Sequence, residues 1–340
     1  EIVQGDWSSD VCSSDLDVKA MAQRSWRTGA ALELVELPTP VPRAGEVRVT
    51  VQAIGVNPVD WKMRTSGPLR LAARLLGPTP PVVVGVDFAG VVDAVGPGVT
   101  RAEPGDRVVG GTDFSRGQRG SYADTVLVRE DQICRVPDSV DIAIAGALPI
   151  AGVTSWRAVV ELGRIETVSP VDRRVLVLGA SGGVGQLAVQ IAKLHGAYVA
   201  GVCSTANVDL VSRIGADVVL DYRQGDPLVQ AREHGPFQVV VDCVGSYSGS
   251  DCRRLLSHTG RHILVAGDEP SAVVELLRAP RRTKSILGRP TGALLEPVVA
   301  AVASGDLIVS VAKTLPLTSA EEAHELSRGG RMTGKLVLQP

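Results

Sequence analysis

Aromatic side chains are scarce in this chain, since phenylalanine, tryptophan and tyrosine together make up only 3% of its 340 residues. A core must therefore be assembled from the aliphatic residues that dominate an apolar fraction of 44%. With 37 glycines and 21 prolines to form turns, this composition favours packed strands and crossover helices over a helical bundle. The length is sufficient for two domains of ordinary size.

Three further shortages exclude other classes of protein. The five cysteines show neither a paired spacing nor a CxxC motif, which predicts free thiols in a reducing, cytoplasmic location. The net charge is −2 with both signs scattered, so no basic stripe favours nucleic acid as a partner. No apolar run approaches the roughly 20 residues that span a bilayer, so the sequence predicts no membrane segment.

The beginning of the chain differs from the rest in composition. Residues 6–16 read DWSSDVCSSDL, a polar, serine-rich stretch without periodicity, which matches the in-frame translation of a common sequencing-library adapter at every position. We therefore interpret residues 1–16 as an assembly artefact, disordered and without a role in the fold. A targeting segment fits less well, because the stretch has neither a cationic start nor an apolar centre. Cys12 is accordingly expected to have no function.

Two kinds of pattern divide the remaining sequence. In residues 17–140, short β-type runs alternate with glycine and proline, which predicts a small, partly open barrel. In residues 141–305, near-continuous apolar strands alternate with helical segments, which indicates a doubly wound parallel sheet. The sequence therefore predicts an α/β protein with two domains.

Two segments are expected to connect these domains. Helical spacing from residue 143 to residue 160, interrupted at Pro149 and Gly152, leads from the first domain into the second. Near the end, an amphipathic helix at 319–328 precedes a strand at 335–338. We expect this last strand to return to the barrel, so that residues from about 306 to 340 complete the first domain.

The strongest functional signal is the segment VLVLGASGGVGQLAVQ at residues 175–190. A strand leads through a glycine turn directly into a helix, and a second strand follows within about thirty residues, the length of a βαβ unit. Gly182 lets the backbone approach a pyrophosphate, Gly185 lets the helix pack on the strand, and the helix N-terminus offers free N–H groups. The turn has the form AxGxxG rather than GxGxxG. The predicted dinucleotide-binding residues are Ala180, Ser181, Gly182, Gly183, Val184 and Gly185.

Six segments in order resemble the landmarks of one family, the zinc-free medium-chain dehydrogenases/reductases, with the quinone oxidoreductases (zeta-crystallin-like) and enoyl reductases closest in pattern. They are AIGVNPVD at 53–60, GVDFAGVV at 85–92, GDRV at 105–108, GSYA at 120–123, GASGGVG at 179–185 and GKLVL at 334–338. The resemblance implies a GroES-like β-barrel catalytic domain, a Rossmann NAD(P)-binding domain and an active site in the cleft between them. It also implies an NAD(P)H-dependent oxidoreductase and allows a homodimer.

Zinc alcohol dehydrogenases share this fold, so the metal question depends on individual residues. Asn57 occupies the position of their GxCxxD cysteine, and Val86-Asp87 replaces the His-Glu of their GHE motif. Zinc needs about four N or S ligands, and between residues 90 and 141 only Cys134 could serve in a structural site. The sequence therefore predicts no zinc. The five histidines are expected to be surface or packing residues: His195, His234, His258, His262 and His324.

Without a metal to polarise a carbonyl, substrates that are already electrophilic through conjugation are favoured, namely quinones, enones and enoyl compounds. The resemblance places Asn57 and Asp60 at the lip of the nicotinamide site and Thr154 beneath the nicotinamide ring or its phosphates. Lys62 and Arg64 could stabilise an enolate oxygen, or they could lie on a solvated strand edge. The predicted catalytic residues are Asn57, Asp60 and Lys62. A third group, Tyr122 of GSYA, could donate a proton, but a barrel-core position is favoured.

The second strand of the dinucleotide unit predicts the choice of cofactor. NAD-selective proteins place an acid at the end of this strand to bind the ribose 2′-hydroxyl, but here the strand ends in neutral hydrogen-bonding residues. Ser204, Thr205 and Asn207 are expected to donate to a 2′-phosphate, with Tyr222 nearby, or Ser204 and Asn207 cap the next helix. In NADP-using relatives a serine, a lysine and a tyrosine hold this phosphate, and here no lysine follows Ser204. NADP(H) is thus preferred, with NAD(H) as the alternative.

Two other functions remain open at the level of sequence. The same fold serves zinc-free NAD(P)-dependent alcohol dehydrogenases and aldehyde reductases. It also serves non-catalytic NADPH-binding proteins, which bind the cofactor but reduce nothing.

Overall fold

The computed structural model describes residues 16–27, 29–65, 67–265, 270–286, 288–330 and 332–340. The first strand, β1, begins at Leu16, the last residue of the adapter-like stretch. The rest of that stretch, with Cys12, lies outside the described residues.

The strands of the first and last parts of the chain form two connected sheets. They are β1 (Leu16–Gln23), β2 (Glu33–Pro38), β3 (Glu46–Val56), β4 (Val82–Val83), β5 (Asp87–Val95), β6 (Arg107–Gly111), β7 (Thr125–Arg129), β8 (Ile133–Arg135), β15 (Val311–Pro316) and β16 (Lys335–Gln339). One sheet has the order β2-β1-β4, and the other β15-β16-β3-β5-β6-β8, with β7 paired to β3. The last strand, β16, therefore pairs with β3 of the first part of the chain.

Strand β3 shows why these residues form a barrel. Val47, Val49 and Val51 are buried, whereas Arg48 and Thr50 between them are not, because successive side chains of a strand point to opposite faces. The buried face packs in one cluster with Phe88 of β5, Tyr122 and Leu338 of β16. The core is aliphatic apart from these two aromatic rings and lies between the sheets.

The second part of the chain forms one parallel six-stranded sheet. Its strands are β9 (Arg174–Leu178), β10 (Tyr198–Cys203), β11 (Val218–Asp221), β12 (Phe237–Asp242), β13 (Leu256–Leu264) and β14 (Thr283–Ser285). Their spatial order is β11-β10-β9-β12-β13-β14, and each adjacent pair is parallel. Since the direction of chain progression reverses between β9 and β12, a crevice is expected beyond the carboxyl ends of these two strands.

Eleven α-helices accompany the sheets in the described residues. They are α1 (Pro58–Thr65), α2 (Gly67–Leu76), α3 (Ile142–Gly146), α4 (Pro149–Trp156), α5 (Gly183–Leu194), α6 (Val208–Arg213), α7 (Pro227–Ala231), α8 (Gly249–Arg254), α9 (Pro270–Arg278), α10 (Gly292–Ala303) and α11 (Ala320–Arg328). None of them is long and apolar enough to cross a membrane.

The helical segment predicted at 143–160 is divided differently from the expectation. The break precedes Pro149, which begins α4, and a π-helical turn continues α4 from Arg157 to Glu161. Gly152 does not interrupt the helix. A Cβ atom at Gly152 would lie 2.7 Å from Val298 Cγ1, so this glycine allows α10 to pack closely against α4.

Candidate active site

The glycine loop joins β9 to α5 at the crevice of the parallel sheet. Gly179 follows β9 with a φ of 81°, and Gly182 is the N-cap of α5. A Cβ atom at Gly185 would lie 2.1 Å from the Gly179 carbonyl oxygen, so only glycine lets the helix start this close to the strand. Gly185 is therefore required by the chain's own packing.

Gly182 meets a different environment. A Cβ atom there would have the Gly179 carbonyl oxygen, at 3.4 Å, as its only neighbour within 4 Å among the described residues. Open space thus lies in front of the first turn of α5, where backbone N–H groups and the helix dipole favour an anion. The loop fits a pyrophosphate.

The other residues of the loop attach it to neighbouring elements. The N–H of Ala180 donates to the Val202 carbonyl of β10, and the Val184 carbonyl accepts from the Ser155 hydroxyl on α4. A Cβ atom at Gly183 would lie 2.8 Å from Cδ of Lys335 in β16. Gly334 donates its N–H to the Ser181 carbonyl at 3.1 Å, so the loop and the closing strand are in direct contact.

The residues after β10 are linked to one another rather than to a helix. Asn207 Nδ2 donates to the hydroxyl oxygens of Ser181 and Ser204, at 3.2 Å each, and its Oδ1 accepts from Thr333. Neither Ser204 nor Asn207 caps the following helix through its side chain. The expectation that Thr205 could donate to a phosphate is not supported, because its hydroxyl donates to Asp221 at 2.6 Å.

Asp221 is a residue that the sequence reasoning missed in this role. It ends β11 and lies in register with Cys203 of β10, so the third strand supplies the acid that the second strand lacks. The hydrogen bond from Thr205 is the main cause that holds the pKa of this carboxyl below its usual range. Tyr222 and Arg223 follow it on the surface, where the Arg223 guanidinium lies 5.5 Å from the centre of the Tyr222 ring.

On the barrel side, Asn57 lies in a buried cluster with two charged residues. Lys335 Nζ donates to Asn57 Oδ1 at 2.5 Å and lies 3.7 Å from Asp87 Oδ2. Asn57 Nδ2 donates to the same Asp87 oxygen at 2.8 Å. Both ends of the Asn57 amide are therefore held by the protein. Burial lowers the pKa of Lys335, against the attraction of Asp87, and burial raises the pKa of Asp87 to about 6.

Asp60 lies next to this cluster and is fully buried. Its Oδ2 accepts from the backbone N–H of Asn57 at 2.8 Å and from the Tyr122 hydroxyl at 3.2 Å, while Oδ1 has no hydrogen-bond partner among the described residues. Burial raises its pKa to about 7, with a smaller contribution from the neighbouring charge of Asp87. This carboxyl can therefore hold a proton near neutral pH.

Tyr122 extends the network towards α11. Its hydroxyl lies 3.0 Å from His324 Nε2, and the other ring nitrogen of His324 lies 2.7 Å from the Arg64 guanidinium. Arg64 also forms an ion pair with Glu321 at 2.5 Å. Burial, and then the Arg64 charge, lower the pKa of His324 to about 3, so the imidazole is neutral at physiological pH. The expectation of a barrel-core position for Tyr122 agrees with its complete burial.

Lys62 and Arg64 do not lie on a strand edge, which corrects one expectation, because residues 58–65 form helix α1. Arg64 is buried against α11, and the Lys62 ammonium lies 5.7 Å from the centre of the Trp61 ring. The ammonium group beside Asn57 belongs instead to Lys335, which the sequence reasoning did not consider. The sequence did contain one sign that Lys335 is unusual, since it is the only charged residue of the otherwise apolar strand segment KLVL at 335–338.

A small apolar cluster borders the Asn57–Asp87 pair. It consists of Met63, Ala73 and Val86, with partly exposed residues packed against them: Trp26, Val59, Leu69, Phe114 and Ile150. The backbone N–H of Ile150 donates to Asp87 Oδ1 at 2.9 Å, which fixes the start of α4 beside the charged cluster. Thr154 lies one turn further along α4, buried, with its hydroxyl facing Gly288.

Side chains that could bind a metal lie together in the parallel-sheet part of the structure. Within the part of the chain that the structure describes, one group of three potential ligands is found, Asp242, Cys252 and His262. The sequence predicted a surface or packing role for His262, which is fully buried beside two other potential ligand side chains.

Comparisons with known proteins agree with this geometry. Residues 43–138 match the sequence model of the alcohol dehydrogenase GroES-like domain, and residues 214–338 match that of the zinc-binding dehydrogenases. The chain is 32% identical to the chloroplast envelope quinone oxidoreductase homolog of Arabidopsis thaliana, over 94% of this chain and 98% of the relative. It is 34% identical, over 59% of its length and 52% of the relative, to the human mitochondrial NAD(P)H oxidoreductase RTN4IP1.

The fold is also similar to solved structures. The quinone oxidoreductase from Coxiella burnetii superposes with a TM-score of 0.84 at 28% identity, over 95% of this chain and 99% of that one. The predicted combination of a GroES-like domain with a Rossmann-like parallel sheet is therefore confirmed.

Proposed function

Because this chain belongs to the quinone oxidoreductases of the medium-chain dehydrogenase/reductase family and is an NAD(P)H-dependent oxidoreductase, we propose that it reduces conjugated carbonyl acceptors with NADPH. The acceptor is a quinone, an enone or an enoyl compound. The observation that carries the proposal is the contact of the glycine loop with Lys335, whose ammonium reaches Asn57 and Asp87 beside a small apolar cluster.

The dinucleotide is held by the loop from Ala180 to Gly185, with the pyrophosphate in front of the first turn of α5. When bound, this cofactor supplies the hydride. Thr154, buried on α4 between the loop and the apolar cluster, is proposed to contact the nicotinamide part. Asn57, Asp60 and Lys335 shape the floor of the cleft. Because the polar groups of Asn57 and Asp60 mainly face other protein groups, we assign these two residues to positioning rather than to contact with the reacting atoms.

Catalysis without zinc is part of the proposal. The positions that carry ligands in the zinc alcohol dehydrogenases hold Asn57 and Val86-Asp87, and the Lys335 ammonium lies near the side-chain oxygen atoms of Asn57 and Asp87. A second cation at the same place would be repelled by this buried positive charge. Without a Lewis acid, the acceptor has to be activated by its own conjugation.

The apolar cluster supports a flat, apolar acceptor. Trp26, Phe114 and Ile150 are partly exposed there in a chain with few aromatic residues, and such surfaces bind ring systems. Tyr122 and Asp60 are fully buried, so we propose that water rather than a side chain protonates the reduced product.

The experiment is a panel of acceptors with purified protein. We expect NADPH absorbance to fall with quinones and enones, and little dehydrogenation of simple alcohols. Phe114→Ala should raise KM for a quinone about tenfold, the effect of removing roughly 1.4 kcal/mol of ring contact. The exposed Val41→Ala serves as the control. Turnover of alcohols alone would favour the alcohol dehydrogenase alternative, and cofactor binding without turnover would favour a non-catalytic binding protein.

The preference for NADPH over NADH rests on Ser204, Tyr222 and Arg223, which surround the end of β10 with donors. The Asp221 carboxylate opposes it, since an anion close to the site repels a 2′-phosphate. We propose that the exposed guanidinium of Arg223 decides the balance in favour of NADPH, in place of the absent lysine.

The ratio of kcat/KM for NADPH to that for NADH tests this proposal. We expect a ratio above one, lowered about tenfold by Arg223→Ala and further by Ser204→Asp. Arg213→Ala, which removes an exposed guanidinium on the neighbouring α6, is the control. A wild-type ratio of one or less would instead assign NADH as the cofactor.

We also propose a location and an assembly for the protein. The four cysteines in the described residues are free thiols, which agrees with the cytoplasm, although the relatives named above are chloroplast and mitochondrial proteins. β14 is an edge strand of the parallel sheet. We propose that a second copy of the chain pairs with this edge to form a homodimer. Light scattering would detect the dimer.

A further inference from the structure

Three potential metal ligands meet on one face of the parallel sheet. Asp242 ends β12, His262 lies in β13, and Cys252 lies on α8. All three side chains are completely buried. Their ligand atoms lie within 4.8 Å of one another.

The strand register explains why the side chains converge. Val240 of β12 is the partner of His262, so both point to the same face of the sheet, and Asp242 points there too because it is two residues further on. The helix α8 covers this face with Cys252. The surroundings are the apolar side chains of Leu176, Leu178, Val240 and Leu255.

Three polar atoms of this group have no hydrogen-bond partner among the described residues. Asp242 Oδ1 accepts from the backbone N–H groups of Val244 and Gly245, at 3.0 and 2.8 Å, which leaves Oδ2 directed towards the other two side chains. Oδ2 and both ring nitrogens of His262 lack a hydrogen bond. Buried polar groups are normally hydrogen-bonded, so three unpaired polar atoms in one place indicate an absent partner.

We propose that Asp242, Cys252 and His262 bind a divalent metal ion of the zinc type. Imidazole, thiolate and carboxylate are the ligands that this ion prefers. One carboxylate and one thiolate balance its two positive charges, so the bound site is neutral, as an apolar environment requires.

The geometry is close to what such an ion needs. His262 Nε2 and Asp242 Oδ2 lie 3.6 Å apart. Tetrahedral bonds of about 2.0–2.3 Å place neighbouring ligands roughly 3.3–3.8 Å apart. Since all the ligand atoms lie within 4.8 Å of one another, no pair has to close by more than about 1 Å, a change that rotation of a side chain provides. A fourth position is left for water.

The site has a path for entry and a structural consequence. The loop between β12 and α8 exposes Val244, Gly245 and Ser246 to solvent beside the ligands. The same loop borders the glycine turn, because a Cβ atom at Gly179 would lie 3.0 Å from Val244 Cγ2. A bound ion would thus fix the loop that forms one wall of the crevice.

Cobalt(II) alone, added to untagged full-length protein stripped of metal, is the probe. We expect one ion per chain and a thiolate-to-cobalt absorption band in the near ultraviolet, which zinc displaces. Cys252→Ser should remove the band and weaken cobalt binding by more than about 100-fold. A substitution of a residue that only contacts a metal ligand usually has a smaller effect. Cys243→Ser, a change of the cysteine adjacent to Asp242, is the matched control and should keep both.

His262→Gln provides a second test if Cys252→Ser does not fold. It should lower the affinity for cobalt and abolish the rise in melting temperature that zinc gives the wild type. A wild-type protein without the band, or equal affinities in wild type and Cys252→Ser, would overturn the proposal. Since no dinucleotide or acceptor is present, these outcomes are independent of the proposed reductase activity.

Discussion

Asp60 combines complete burial with a pKa raised to about 7, well above the value near 3.8 in the unfolded chain. Between these two pH values the folded state binds more protons than the unfolded state, so the free energy of unfolding falls as pH rises. The contribution of this group is fully present below about pH 4 and is lost as pH rises through about 7. Titration of this one carboxyl changes the free energy of unfolding by at most about 1.4 kcal/mol per pH unit.

Asp60→Asn should flatten this slope, because the amide keeps the shape of the carboxyl group but does not titrate. Urea unfolding at a series of pH values between about 4 and 7.5 measures it. Asp138→Asn, whose side chain is 97% exposed, is the control and should follow the wild type. Parallel curves for wild type and Asp60→Asn would show that the carboxyl of Asp60 does not carry the effect.

Lys335 and Asp87 form a buried ionic contact in the candidate site. Removing only one partner of such a pair leaves an uncompensated buried charge, so Lys335→Met should lower the free energy of unfolding by about 3–5 kcal/mol. Adding Asp87→Asn should restore part of this loss. The measurement is a double-mutant cycle by denaturant unfolding, and strictly additive effects would contradict a direct interaction.

At the scale of elements, Gly182 and Gly185 of the glycine loop have separable roles. Gly185→Val should lower the melting temperature strongly, since the Cβ atom would overlap the Gly179 carbonyl. Gly182→Val should fold, because its Cβ atom meets only one contact at 3.4 Å, but it should lose NADPH binding. Melting curves and fluorescence titration with NADPH measure the two effects. Normal NADPH affinity in a folded Gly182→Val protein would place the pyrophosphate elsewhere.

The same elements show what the sequence could predict. The strand-loop-helix unit from β9 to α5 is local, so its apolar run and glycines predict it almost residue by residue. The contacts of Lys335 with Asn57 are different, because the two residues are 278 positions apart and only the tertiary fold brings them together. Asp221 was missed as an acid beside the end of β10 for a related reason, since it reaches this place from the neighbouring strand β11.

At the scale of the whole molecule, the cleft and the proposed metal site make separate predictions. If hydride transfer uses no zinc, chelation should leave kcat at saturating NADPH within about twofold of its original value, whereas the melting temperature should fall as the site at Cys252 is emptied. The metal content of each sample has to be determined by elemental analysis when kcat and the melting temperature are measured. A loss of kcat that zinc restores in Cys252→Ser would assign a metal to the cleft instead.

The pairing of β16 with β3 also bears on synthesis. Lys335 donates to the Val56 carbonyl across 279 positions of sequence, so the barrel cannot close until nearly all of these residues have left the ribosome. At about 5–20 residues per second, the wait is on the order of 15–55 s. During that time only the end of β3, from Ile54 to Val56, lacks its partner strand, because β5 and β7 pair with the preceding part of β3. The barrel therefore stays open at this end of β3 until the last strand of the protein has been made.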